Sequence, residues 1–321
     1  LALTEFNVAK AAHAITGSLF MHLCYAVTCG SDSTYADMAY ISVRAARLVH
    51  PDITVSIILD QQTEAQLIAD KCKLLDAVEH KVVVQCDMTS PEARSRFIKT
   101  SSRQHIKGDF LLIDADALPV RSLEGIFNAD CDIAIALDNN DPPEKQKIAP
   151  WVAELYEKLG WTYDKPNYYN GGVLLFRDTP KTHAFAQAWH ERWHQTHAMG
   201  IMKDQPSLNS SIAHIKPRLH VLPVRYNAMI NHRVSSARDA AILHFWTSKN
   251  MPPGFMLTKL LASMKQTGDV DEQMLREFVR TRYAWTDPYY ISAQWHTGRY
   301  GAVAKAAMVK VIRKVLPSFA K

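Results

Sequence analysis

The sequence predicts an α/β protein with a mostly parallel central sheet and a helical C-terminal extension. Three observations carry that prediction. Apolar runs recur at 22–29, 53–59, 82–84, 110–113 and 133–137. Helix-like patterns fill the intervals, the alternation expected of a parallel doubly wound sheet. The run at 110–113 is apolar throughout, which suits a strand buried on both faces.

Taken in order, H-L-C-Y-A-V-T-C (22–29) reads as the first strand, broken by Gly30 and Ser31. Asp32 or Ser33 is placed to cap a helix over 34–49, with Met38, Ile41, Ala45 and Leu48 on one face. Ile53 to Leu59 forms a second strand closed by Asp60, Thr63 to Leu75 a helix, and Val82 to Val84 a third strand. Pro91 opens a helix carrying Arg94, Arg96, Lys99 and Arg103. The first turn, C-G-S-D-S-T-Y, lacks G-x-G-x-x-G, so the dinucleotide fingerprint is absent.

Residues 108–119 then read G-D-F-L-L-I-D-A-D-A-L-P. Asp114 and Asp116 stand i, i+2 at the end of an apolar strand, so an extended chain turns both the same way. That end of an open α/β sheet is where ligands bind. Two converging carboxylates repel unless a positive charge lies between them, and a divalent cation carrying a diphosphate supplies one. The same triplet also reads as a plain acidic turn.

Further on, Ile133 to Leu137 forms a strand ending at Asp138, and a helix runs through Trp151 and Leu159. Tyr168 to Arg177, Y-Y-N-G-G-V-L-L-F-R, is a strand entered through two glycines. A helix over 180–197, a helix start at Lys203 to Ile212 and a last strand, Ala241 to Trp246, complete the pattern.

Composition restricts the function classes. At 47% hydrophobic and 21% charged residues, the chain is an ordinary globular protein. No charge-free apolar run reaches membrane-spanning length, and His22 interrupts the apolar stretch Leu19 to Val27, which does not read as a signal peptide. The cysteines Cys24, Cys29, Cys72, Cys86 and Cys131 have no C-x-x-C spacing, which points to reduced thiols and a cytoplasmic setting. Net charge is +5, yet Arg299, Lys305, Lys310, Arg313, Lys314 and Lys321 follow the last acidic residue, Asp287; without those six the rest of the chain stands at −1. A near-neutral body with a basic tail argues against nucleic-acid binding.

Four motifs now stand in order: D-A-D at 114–116, Y-N-G-G at 169–172, D-Q-P-S-L-N at 204–209 and H-F-W-T-S-K at 244–249. Over roughly 22–255 the sequence resembles the retaining GT-A glycosyltransferases, especially glycosyltransferase family 8, which includes glycogenin and bacterial lipopolysaccharide galactosyl- and glucosyltransferases. The resemblance implies a GT-A, Rossmann-like nucleotide-diphospho-sugar transferase domain over 1–255, with a donor half at about 20–140 and an acceptor half at about 140–255. Residues 256–321 form the helical extension.

It further implies that Asp114, Asp116 and His244 bind Mn2+, with Mg2+ as the alternative, and that Lys249 contacts the donor diphosphate. The family's H-x-x-G-x-x-K-P segment lacks its glycine here, and Lys249 lies one position closer to His244. Ala115, Asn170, Gly171 and Gly172 are implied donor-sugar contacts, and glycine lets a backbone approach a sugar closely. Asp138 is an implied sugar carboxylate. Asp204 and Gln205 lie nearest the reacting carbon, although Asp204 also suits a helix N-cap. Thr28, Ser31 and Tyr35 occupy the nucleotide turn, with Tyr35 stacking on uracil. Lys99 is the basic donor contact, in competition with Arg96 and Arg103.

The expected activity is transfer of a hexose from a nucleotide diphosphate sugar, UDP-glucose or UDP-galactose, to a lipopolysaccharide or other surface glycan. A nucleotidyltransferase and a non-catalytic sugar-nucleotide or glycan-binding protein are the alternatives. In the tail, Val303, Ala307, Val311 and Leu316 share a helical face while the lysines and arginines lie elsewhere. With Tyr289, Tyr290, Trp295 and Tyr300 upstream, this reads as a helix for an anionic membrane surface, peripheral on the inner face of the cell membrane.

Overall fold

The structure is a computed structural model and describes residues 20–245, 254–288 and 290–315, with side chains beyond 311 excepted. The first half runs β1 (His22–Val27), α1 (Thr34–Val49), β2 (Thr54–Asp60), α2 (Gln61–Ala69), β3 (His80–Val84), α3 (Pro91–Thr100), α4 (Ser102–His105), β4 (Phe110–Ile113), β5 (Ala117–Pro119), α5 (Glu124–Phe127) and β6 (Ile133–Leu137). The second half runs α6 (Pro150–Leu159), β7 (Tyr169–Phe176), α7 (Pro180–Ala198), α8 (Gln205–Ile215), β8 (Leu219–Leu222), β9 (Ala228–Met229) and β10 (Ile242–His244). Four helices follow: α9 (Met256–Thr267), α10 (Glu272–Thr281), α11 (Ile291–His296) and α12 (Tyr300–Val315).

The main sheet has the order β3-β2-β1-β4-β7-β6-β8. Its pairs are parallel except where β7 lies antiparallel to both β4 and β6. The continuous apolar runs have a direct cause. In β1, Leu23, Tyr25 and Val27 enter one core and Cys24 the other; in β4, Leu111 and Ile113 enter the first, Phe110 and Leu112 the second. Alternate side chains thus feed cores on opposite faces of the sheet. The first core takes in α1 together with Leu257, Leu260, Leu275 and Phe278 of the C-terminal helices. The second takes Ile98 of α3, Trp189 of α7 and Leu208 of α8.

Boundaries shift from the sequence reading for local reasons. The second helix begins at Gln61, because the Asp60 carboxylate accepts from the Gln62 and Thr63 backbone N–H groups, each at 3.0 Å. It ends at Ala69, with Lys71 at φ +51°. Of the two expected caps for α1, Ser33 holds the position without a side-chain bond, while the Asp32 carboxylate accepts from Thr34 N–H at 3.0 Å. The third strand reaches back to His80, and the helix expected from Lys203 starts at Gln205. All five cysteines are free and buried. No described helix is long and apolar enough to cross a membrane.

A second, three-stranded sheet, β5-β10-β9, carries the consequence for function. The chain leaves the main sheet at Ile113 and re-enters pairing at Ala117 in the small sheet. The D-A-D triplet is therefore the turn between two sheets.

Candidate active site

Register builds the site. Antiparallel pairing of β4 with β7 sets Ile113 opposite Val173, and Asp114 N–H donates to the Gly172 carbonyl at 2.9 Å. Antiparallel pairing of β5 with β10 sets Ala117 opposite His244, and Phe245 N–H donates to the Asp116 carbonyl at 3.0 Å. Residues far apart in sequence thus meet at one corner. One ligand atom from each of Asp114, Asp116 and His244 lies within 4.8 Å of the others.

The corner fits a divalent cation. His244 is buried, and its Nε2 has no hydrogen-bond partner among the described residues although it lies 3.4 Å from Asp116 Oδ1. Burial works to lower the imidazole pKa, but the Asp116 and Asp114 carboxylates outweigh it and hold the pKa above its ordinary value. A cation among these groups would replace that proton. Two carboxylates and one imidazole form a donor set suited to Mn2+. Gly172 makes the room: a Cβ there would stand 2.4 Å from His244 Cε1.

The corner opens into a cavity of about 690 Å3, within the range of small-molecule sites. Thr28, Ser31 and Tyr35 line one end, and Asn170, Gly171, Asp204 and Gln205 line it as well. The Thr28 hydroxyl is buried without a partner among the described residues. A buried orphan hydroxyl on a cavity wall is what a polar ligand would satisfy.

The family model for nucleotide-diphospho-sugar transferases matches residues 104–251. The chain superposes on the galactosyltransferase LgtC, solved with donor and acceptor sugar analogs, with a TM-score of 0.51 and 16% identity over 76% of this chain and 96% of that one. An active-site mutant of LgtC, glutamine to glutamate, gives 0.52 at 15% identity over 79% and 98%. The chain has the GT-A fold. Comparison with curated protein sequences gives no match.

In this GT-A chain the expected residues fall into three groups. Thr28, Ser31, Tyr35, Lys99, Asp114, Ala115, Asp116, Asn170, Gly171, Gly172, Asp204, Gln205 and His244 all line the one cavity. Asp138 stands behind it, accepting from Asn170 Nδ2 at 3.2 Å. Lys249 lies outside the described residues, as do Trp246 and the rest of its segment.

Of the three competing basic residues on α3 and α4, two enter the cavity. Lys99 Nζ donates to Asp114 Oδ1 at 2.6 Å, and Arg96 Nε lies 3.2 Å from Asp204 Oδ1. Arg103 instead serves the Gly108 carbonyl and Asp178. Asp204 holds the N-cap position of α8, yet its carboxylate makes no capping bond. It is directed to Arg96. Burial pushes its pKa up, but the Arg96 guanidinium and the Lys99 ammonium hold it below the usual carboxylate value, so it stays ionised.

Two supports escaped the sequence reading. On α7, Trp189 Nε1 donates to the Asp204 carbonyl at 3.2 Å and Trp193 Nε1 to the Met202 carbonyl at 3.3 Å, so two buried indoles pin the loop before α8. Asn209 of the D-Q-P-S-L-N motif accepts from Tyr169 N–H at 2.7 Å and donates to the Tyr169 carbonyl at 3.0 Å, which locks α8 to the Y-N-G-G strand. A third feature is the cavity wall formed by Thr258, Leu261, Ala262 and Lys265 of α9. Their i, i+3, i+4, i+7 spacing marks a helical face, but nothing in the sequence says that this face looks into the site.

Proposed function

We propose that the protein is a metal-dependent retaining hexosyltransferase that uses a nucleotide diphosphate sugar, UDP-glucose or UDP-galactose, and delivers the hexose to a hydroxyl of a lipopolysaccharide or other surface glycan. The observation that supports it most is the Asp114/Asp116/His244 corner, with its orphaned imidazole nitrogen, opening into the cavity.

In this reading Asp114, Asp116 and His244 hold Mn2+ or Mg2+, which when bound neutralises charge on the leaving diphosphate. Thr28, Ser31 and Tyr35 hold the nucleotide. Lys99 braces Asp114, and Lys249 is assigned to the diphosphate by the family resemblance. The Gly171 and Gly172 backbone gives the sugar close approach, and Asn170 offers hydrogen bonds to its hydroxyls with Asp138 behind it. Asp204, ionised beside Arg96, stands with Gln205 at the developing positive charge of the anomeric carbon; electrostatic stabilisation of this kind is commonly the largest part of catalysis. The bond from that carbon to the diphosphate breaks with its electron pair leaving on the diphosphate. The acceptor oxygen bonds to the carbon with net retention, and the acceptor's hydroxyl proton leaves with the departing diphosphate or to solvent. The transferase domain is assigned to 1–255 and the extension to 256–321, with α9 of the extension forming one wall of the site.

The test is nucleotide release from a panel of nucleotide sugars in Mn2+. A UDP-hexose is expected to be hydrolysed fastest. Binding of the donor without any release would favour the non-catalytic alternative, and pyrophosphate-dependent nucleotidyl exchange the nucleotidyltransferase.

The tail supports attachment to an anionic membrane surface. Ala306 is buried on the inner side of α12 and Val303 is half-buried, so the expected apolar face divides. The exposed stripe is Tyr300, Ala304, Met308 and Val311, with Lys305 and Lys310 exposed beside it. Leu316 and Tyr289 lie outside the described residues. Each basic residue at an anionic surface contributes about 1 kcal/mol. Deleting 299–321 is expected to abolish sedimentation with phosphatidylglycerol vesicles; undiminished sedimentation would remove the membrane proposal.

A further inference from the structure

Asn227 follows the turn Val224–Tyr226, immediately precedes β9 and is fully buried. The direction of its amide follows from one fixed donor. Gly172 N–H donates to the Asn170 side chain at 2.9 Å, so the receiving atom is the carbonyl oxygen, Oδ1. Asn227 meets that same oxygen at 3.1 Å and therefore presents its NH2 group. Its own Oδ1 is thereby turned to His244 Nδ1, 2.7 Å away. A carbonyl oxygen only accepts, so Nδ1 carries the proton. In the neutral ring, Nε2 is then a bare lone pair beside Asp116. The opposite tautomer would need the Asn227 amide flipped, with two carbonyl oxygens facing each other across 3.1 Å.

We propose that Asn227 is the positioning residue of this site. It fixes His244 as the Nδ1–H tautomer with Nε2 turned to the cation, and it ties that orientation to Asn170 on the sugar-facing strand. This rests on the reading of Asp114, Asp116 and His244 as a cation site. The relay continues from Asn170 Nδ2 to Asp138 Oδ1 at 3.2 Å. It is anchored behind as well: Asn140 Nδ2 donates to the Asn227 carbonyl at 2.8 Å, and Met229 N–H donates to Asn140 Oδ1 at 2.7 Å. Asn140 holds φ +56°, a conformation that asparagine tolerates better than most residues. The hydrogen bond on the non-ligating nitrogen of a metal-binding histidine sets its tautomer and orientation.

Two readouts test this. Long-range 15N–1H spectra of the metal-free protein, recorded at a pH high enough for the ring to be neutral, report the His244 tautomer, with Nδ1 protonated and Nε2 bare as the expected result. Free-ion electron paramagnetic resonance reports Mn2+ affinity. Asn227→Leu is expected to lose the fixed tautomer and about 10–100-fold in Mn2+ affinity, the range for loss of such a partner. Asn227→Asp keeps an acceptor for Nδ1 and loses the donor to Asn170. It is expected to bind Mn2+ no more weakly than wild type and to show a raised donor KM. An Nε2–H tautomer in the wild type overturns the proposal, as does an Asn227→Leu protein with wild-type tautomer and Mn2+ affinity. Should Asn227→Leu fail to fold, the wild-type spectrum and Asn227→Asp decide. A wild type with the expected tautomer but no Mn2+ binding upholds the orientation by Asn227 and sinks the cation reading instead.

Discussion

Replacing Asp116 by alanine is expected to lower donor hydrolysis in Mn2+ about a thousandfold. Asp116 is buried, lies 3.4 Å from His244 Nε2 through Oδ1, and shares the corner with Asp114. Removing it takes one of two carboxylates from the set and leaves His244 facing only Asp114. A cation at a developing oxyanion contributes several kcal/mol, and each factor of ten in rate is about 1.4 kcal/mol, so a loss near three decades follows. Asp116→Asn keeps the shape and removes the charge; it is expected to fall nearly as far. Undiminished turnover in both variants would rule out a cation held here.

Gly172→Ala is the second large effect, and it acts through space. The added Cβ would stand 2.4 Å from His244 Cε1, 2.9 Å from Asn170 Oδ1 and 3.0 Å from His244 Nδ1. Neither side chain has freedom to retreat: His244 is held by Asn227, and Asn170 by Gly172 N–H and Asn227. Overpacking of a filled interior costs about 1–3 kcal/mol, so the melting temperature is expected to fall. Displacing His244 is also expected to weaken Mn2+ binding at least about tenfold, as loss of its orientation would. Gly171→Ala is the comparison. Its Cβ would meet the end of the Leu208 side chain at 3.2 Å and Lys99 Cε at 3.9 Å, a contact that flexible groups relieve. Equal melting temperatures and Mn2+ affinities for the Gly172 variant and the wild type would contradict the packing argument.

The parts of this site legible in sequence are those whose chemistry is local. D-A-D at a strand end, a glycine pair opening a strand and Asp-Gln before a helix each carry their meaning within a few residues. The first-half strands are legible for the same reason, since β1, β2, β4 and β6 are largely apolar runs whose alternate residues feed two cores. What stayed hidden depends on non-local pairing. V-R-Y-N-A gives Asn227 no distinguishing neighbour; its role exists only because β9 pairs in parallel with β10 and sets Ala228 opposite Leu243. Choosing between Arg96 and Arg103 needed the direction in which α3 and α4 present them. The antiparallel entry of β7 between β4 and β6 reverses what consecutive parallel units suggest. Asp204 illustrates an ambiguity that only geometry resolves: it has the N-cap position and the carboxylate, but no bond between them.

The central claim is that these residues hold a divalent cation against a nucleotide diphosphate sugar. It is tested most directly by UDP-hexose hydrolysis with protein stripped by EDTA and then resupplied with Mn2+. Hydrolysis is expected to vanish on stripping and to return as Mn2+ is added back. Turnover that is the same in EDTA as in Mn2+ would contradict it.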